Sequence, residues 1–237
     1  MHGEAVIGGD GRGLLWIGEA GIGPLEREEF YVTAKIRDVE IPRMEGLGRV
    51  RFELFGYPPG FLMGSPKSML ASAGTRIGVK RIPSADEDAE MRSYRLPSGQ
   101  LYVPATMVRA SMIDACRNLK IGRSSVSKLL SQTIQSPDEF CPLYDPHTLE
   151  PIEKYVVHPL RVVQQGQGII RCRGLVYPWC CTVVIEYDKE IITDEDILGT
   201  AITRAGRISG IGDFRPMCPH GHGGPYGRFT VRRIPLE

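Results

Sequence analysis

Between Arg204 and Ile234 the chain reads RAGRISGIGDFRPMCPHGHGGPYGRFTVRRI, with glycines at 206, 210, 212, 221, 223, 224 and 227. Glycine has no Cβ and reaches positive φ freely, so a run this dense makes a loop whose backbone N–H groups can approach a ligand closely. Any fold for this chain must carry that irregular segment between the end of a helix and the start of a strand. Six arginines (Arg204, Arg207, Arg215, Arg228, Arg232 and Arg233) share the stretch with one acid, Asp213. Backbone donors together with guanidinium forks suit phosphate. The loop is therefore expected to bind a nucleic-acid backbone.

The rest of the composition narrows the setting. A chain of 237 residues accommodates one large domain, or one domain with insertions, and can bury a core. Its 28 glycines stand well above the usual share of ~7%. A net charge of +1 means that an anion-binding surface must be a local patch rather than a global field. The six cysteines have no disulfide-like spacing, and the opening MHGEAVIGGDG has neither a basic n-region nor an apolar h-region. A cytoplasmic, reduced protein with no membrane partner is expected.

Taken in order, residues 1–28 are glycine-rich and weakly patterned, and they read as a flexible or peripheral arm. Alternation predicts strands at Glu29–Asp38 and at Arg49–Phe55, the latter with Val50, Phe52 and Leu54 on one face. From about 56 to 101 the pattern dissolves into an insertion with turns at Tyr57-Pro58-Pro59-Gly60 and Gly64-Ser65-Pro66-Lys67. Ser84–Glu90 reads there as an acidic solvated run. A helix is predicted over Ala105–Leu119, with Val108, Met112, Ala115, Cys116 and Leu119 as its apolar stripe and Arg109 and Arg117 on the other side. Cys116 is on that pattern a core residue. A second insertion covers about 129–165.

Ile169–Val176 and Trp179–Tyr187 are predicted to form a hairpin turning at Tyr177-Pro178, with Trp179, Cys181, Val183, Ile185 and Tyr187 sharing a face. A second helix follows Thr193 as N-cap and is stopped by Gly206. The last strand is Arg228–Ile234. Strand (29–38), helix, hairpin, helix, strand gives an α+β class with the ferredoxin-like, RRM-like order β-α-β-β-α-β. The glycine-rich loop falls between the second helix and the last strand, within a single domain over 29–237.

With that loop in that place, the chain resembles the RAMP superfamily (repeat-associated mysterious proteins) of CRISPR systems. The residues that carry the resemblance are Gly210-Ile211-Gly212-Asp213-Phe214 and Gly224-Pro225-Tyr226-Gly227-Arg228-Phe229. Within the superfamily it is most similar to the backbone subunits that polymerise along a guide RNA. It is also similar to phage- and prophage-encoded proteins that carry LYVPA, here Leu101–Ala105, and GDFRP…GPYGRF near the end. The resemblance implies a non-catalytic binder of single-stranded RNA or single-stranded DNA. Its implied partners are copies of itself in a head-to-tail filament and other ribonucleoprotein subunits. A metal-independent endoribonuclease and a phage structural protein without nucleic acid are the alternatives.

The residues expected at the nucleic-acid site are Arg109, Arg207, Arg215 and Arg228 on phosphates, with Gly210, Gly212, Gly224 and Gly227 shaping the loop. Phe214 and Tyr226 flank the glycines, where they either stack bases or pack the loop onto the domain. No catalytic residue and no cofactor is assigned. Cys218, His220 and His222 form a metal-like cluster, a zinc alternative that lacks a CxxC to complete four ligands. Nuclease chemistry would need a base such as His158, His220 or His222 beside a 2′-hydroxyl, and nothing in the spacing puts one there.

Overall fold

The alternation over Leu47–Gly56 produces the longest strand of the main sheet, with Val50, Phe52 and Leu54 buried and the residues between them turned outward. A computed structural model describes residues 45–65, 83–164, 167–218 and 223–235, together with two short strands near the N-terminus. The chain divides into two compact units, Met1–Arg43 and Met44–Glu237. In the first, β1 (Val6–Ile7) pairs antiparallel with β2 (Leu14–Leu15). The strand expected at 29–38 lies outside the described residues.

The second unit is mixed α+β. Its elements run β3 (Leu47–Gly56), β4 (Phe61–Leu62), α1 (Ala85–Glu90), β5 (Tyr102–Pro104), α2 (Ala105–Ala115), β6 (Lys120–Ile121), β7 (Ser124–Ser125) and α3 (Val126–Thr133). They continue with β8 (Ile134–Gln135), β9 (Phe140–Pro142), β10 (Val156–Gln164), β11 (Gln167–Val176), β12 (Cys180–Asp188), α4 (Asp196–Arg204) and β13 (Phe229–Ile234).

Four strands form the main antiparallel sheet in the order β13-β3-β12-β8. One face carries Val50, Phe52, Leu54, Cys181, Val183 and Ile185 into a core shared with Val108 and Met112 of α2 and Leu198, Ala201 and Ile202 of α4. Burying side chains of this size is the main stabilising term, at about 25 cal/mol per Å² of apolar surface removed from water. On the opposite face the charges pair. Arg49 Nε donates to Glu186 over 2.7 Å, Arg232 pairs with Glu53, and the Arg232 guanidinium lies 5.4 Å from the centre of the Phe55 ring.

The expected hairpin between Ile169–Val176 and Trp179–Tyr187 does not form. β11 pairs instead with β10 in unbroken antiparallel register, from Val156↔Leu175 to Gln164↔Gln167, and its far edge takes β4. The chain leaves that three-stranded sheet at Tyr177-Pro178, and β12 enters the main sheet beside β3. The reason is that β12 has a continuous buried face, Trp179, Cys181, Val183, Ile185 and Tyr187, which only the helix-covered sheet can bury. The shared face was predicted; the partner was not, because period-2 alternation fixes which residues face inward and says nothing about which strand lies alongside.

Two helices also differ from expectation. Ser84–Glu90 is not a solvated run but the N-cap and body of α1, closed by a capping box in which the Ser84 hydroxyl accepts from Glu87 N–H and the Glu87 carboxylate from Ser84 N–H. Asp88 is buried and accepts from the backbone N–H of Cys172 at 2.7 Å, which docks α1 on β11. Gly206 does not end the second helix. After α4 the backbone widens into a π turn over Ala205–Ser209 and stops at Gly210, whose φ is 70° and whose N–H donates to the Ala205 carbonyl at 2.7 Å. Thr193 is likewise not the cap, since Glu195 holds that position and Asp194 Oδ1 accepts from Asp196 N–H.

Candidate functional site

The glycine-rich loop packs tightly on the domain, and the conformations of its glycines follow from that packing. A Cβ on Gly212, whose φ is 82°, would overlap the Leu62 carbonyl; on Gly227, with φ 73°, it would overlap the Ile211 carbonyl. Gly224 sits as closely on the Phe214 carbonyl. The amides are engaged inside the protein. Ile211 N–H donates to Gly227, Asp213 N–H to Leu62, Gly224 N–H to Arg215 and Gly227 N–H to Gly60, over 2.8–3.2 Å. Gly212 N–H points at the Met107 sulfur. Glycine here lets backbone meet backbone.

The charged residues of the loop are tied in the same way. Arg215 donates to Ser209 Oγ at 3.0 Å and to Asp114 Oδ2 at 3.2 Å, which fixes the loop to α2. Asp213 pairs with Arg173 of β11 at 2.8 Å rather than with Arg215. The Tyr226 hydroxyl meets His158 Nε2 of β10 at 2.8 Å. Phe214 takes a positive φ of 49° and is half-buried. Arg109 covers carbonyls at the C-terminal end of α3, with Nε on Ile134 O at 2.7 Å and Nη2 on Ser131 O at 2.6 Å.

Arg207 and Arg228 are different. Both are exposed, and among the described residues neither guanidinium has a hydrogen-bond or ion-pair partner. They line one groove of about 550 Å³ together with Tyr57, Ile208 and Thr230, over the buried Gly206 and Phe229. Three segments build it: the π turn after α4, the first residues of β13 and the turn that follows β3. Tyr57 N–H donates to the Arg228 carbonyl at 2.9 Å, so the β3 turn and the start of β13 are one hydrogen-bonded surface. None of the segments 55–62, 174–185, 204–212 and 223–235 contains an aspartate or glutamate. The groove lining is therefore a local cationic patch on a chain of nearly neutral total charge, while Glu53 and Glu195, from elsewhere in the chain, are paired with Arg232 and Arg233.

Tyr57 and Ile208 were not singled out from sequence. The available signal was an aromatic residue just before Pro-Pro-Gly at a strand end, where a turn leaves it no core to enter.

Cys116, Cys141 and Cys181 are unsuited to nucleophilic roles. Burial drives the Cys181 thiol well above its ordinary range and pushes Cys141 up to about 12, and it also raises Cys116. Cys218 is half-buried, while His220 and His222 lie outside the described residues. Among the described residues no three His, Cys, Asp or Glu side chains gather as a metal site, and no helix is long and apolar enough to cross a membrane. A scan against protein-family models and a search of curated proteins find no match to the chain.

Proposed function

We propose that the Met44–Glu237 unit binds single-stranded nucleic acid, with backbone phosphates held by Arg207 and Arg228. The observation that carries this reading is the pair of exposed guanidiniums, without a carboxylate partner among the described residues, across one groove whose lining residues include no acid. Arg215, Arg232, Arg233 and Arg49 are different, since each meets an acidic side chain. A phosphate supplies the anion that Arg207 and Arg228 lack, with forked geometry suited to a guanidinium.

The arrangement of elements supports the finer reading of the fold as ferredoxin-like. Around the main sheet they run β3-α2-β8-β12-α4-β13, a β-α-β-β-α-β order. In this reading β3 stands first and the short β8 second. The glycine-rich loop then lies between the second helix of that unit and its last strand, which is the position on which the resemblance to the RAMP superfamily rests.

The test is fluorescence anisotropy of labelled oligo(U) and oligo(dT) with the purified chain at low salt. Binding is expected, weakened by Arg207→Glu and Arg228→Glu at every sequence tried, while the far-ultraviolet circular dichroism of the variants stays that of the parent. Absence of binding by the parent chain at low salt sinks the proposal.

A further inference from the structure

We infer that Tyr57 and Tyr177 stack the bases of the strand whose phosphates Arg207 and Arg228 hold, an inference that rests on the nucleic-acid reading above. The two tyrosines are 54% and 51% exposed, and among the described residues neither joins a ring pair or hydrogen-bonds through its hydroxyl. Other aromatic residues are occupied: Phe61, Tyr94, Tyr102 and Phe140 pack on one another, and Tyr226 lies against His158. Tyr226, one of the two aromatics nearest the glycines in sequence, is thus committed to holding the loop.

The turns that carry Tyr57 and Tyr177 touch at Gly60. Its N–H donates to the Tyr57 carbonyl at 3.0 Å, and at its φ of 117° a Cβ would come within 2.7 Å of Tyr177 Cβ. Gly60 also accepts from Gly227 N–H at 2.8 Å, one residue before Arg228. Tyr57 is therefore mounted on backbone hydrogen-bonded to the segment that carries the phosphate-binding arginine, and Tyr177 packs against Gly60 of the same turn. Charge complementarity selects the occupant: two free guanidiniums and no carboxylate favour a polyanion, and the aromatic faces favour one with flat, unpaired bases. Stacking on a tyrosine needs a base free of its complement, so the ligand is a single strand and its sequence matters little, since every base has a π-face.

The test compares oligo(dT), the corresponding duplex and an abasic phosphodiester chain of equal length, each titrated into the full chain. Tyr57→Ala and Tyr177→Ala are each expected to weaken oligo(dT) by roughly tenfold. Affinity for the abasic chain should not change, and Tyr57→Phe and Tyr177→Phe should restore the parent value for oligo(dT). Intrinsic tyrosine fluorescence should be quenched by oligo(dT) and not by the abasic chain. If the alanine variants bind oligo(dT) as the parent does while Arg228→Glu does not, stacking is overturned and phosphate binding stands. Equal affinity of the parent for duplex and single strand, or for poly-glutamate, overturns the assignment of the occupant. Failure of the parent to bind either chain removes both readings together.

Discussion

Gly206 lies so close under the Phe229 carbonyl that a Cβ on it would overlap the oxygen. The contact joins the π turn to the first residue of β13 and forms the base of the groove between Arg207 and Arg228. Gly206→Ala must push these two segments apart, because the obstructing atom is backbone and has no rotamer to escape into. The expected cost is about 2–4 kcal/mol of stability, read as a lower urea midpoint. Gly199→Ala is the control, since nothing lies within 4 Å of a Cβ there and alanine is the better helix former by roughly 1 kcal/mol. It should be neutral or stabilising.

Arg215 and Asp114 form a partly buried pair, with side-chain exposures of 18% and 19%, that ties the glycine-rich loop to α2. Arg215→Ala leaves the Asp114 carboxylate with Arg117 alone, at 2.7 Å. A double-mutant cycle between Arg215→Ala and Asp114→Ala should give a coupling of about 1 kcal/mol. A coupling of zero would mean that the pair does not hold the loop.

The Glu90 carboxylate sits between Arg95, at 3.0 Å, and the Tyr155 hydroxyl, at 2.7 Å. Hydrogen bonding to Arg95, with help from Tyr155, holds Glu90 down at about 2, and burial first and Glu90 second push Tyr155 up to about 12. A depressed carboxyl stabilises the fold above its ordinary value of 4.5 and loses that contribution as pH falls towards about 2. A raised phenol stabilises below its ordinary 10.0 and loses that as pH rises through about 12. With the Glu90 side chain half exposed, solvent screening limits the acid arm to about 1 kcal/mol or less. Glu90→Gln should lower Tm near neutrality and match the parent once the pH approaches about 2. A constant gap across that range would place the effect elsewhere.

What sequence could show follows from the range over which each signal acts. The inward faces of β3 and β12 were legible because alternation is a property of the strand alone. So was the buried stripe of Val108, Met112 and Ala115 in α2, although the helix ends at Ala115, leaving Cys116 as its buried C-cap and Leu119 beyond it. The pairing of β11 with β10 was not, since both flanking runs are apolar and only the burial of the Trp179–Tyr187 face decides between them. α1 was hidden by its acids, although Ser84 and Glu87 stand at the spacing of a capping box. The groove was illegible for a stronger reason: Tyr57, Arg207 and Arg228 come together only through the hydrogen bond from Tyr57 to Arg228 and the close seat of Gly206 on Phe229. Composition marked the arginine-rich loop correctly as cationic but could not separate its free arginines from its paired ones.

That separation gives the sharpest expectation for binding. A guanidinium that neutralises a phosphate releases condensed counterions, so the logarithm of affinity falls with the logarithm of salt by about 0.7 per contact on a single strand. Arg207→Ala and Arg228→Ala should each flatten that slope by roughly this amount, and together by about twice as much. Arg215 already faces Asp114 and Ser209. Arg215→Ala should therefore leave the slope unchanged, even where loss of stability lowers the fraction of active protein. The measurement is affinity for labelled oligo(dT) across a salt series for the parent and the three variants. A flattened slope for Arg215→Ala with none for Arg207→Ala or Arg228→Ala would move the phosphate site from the groove to the loop.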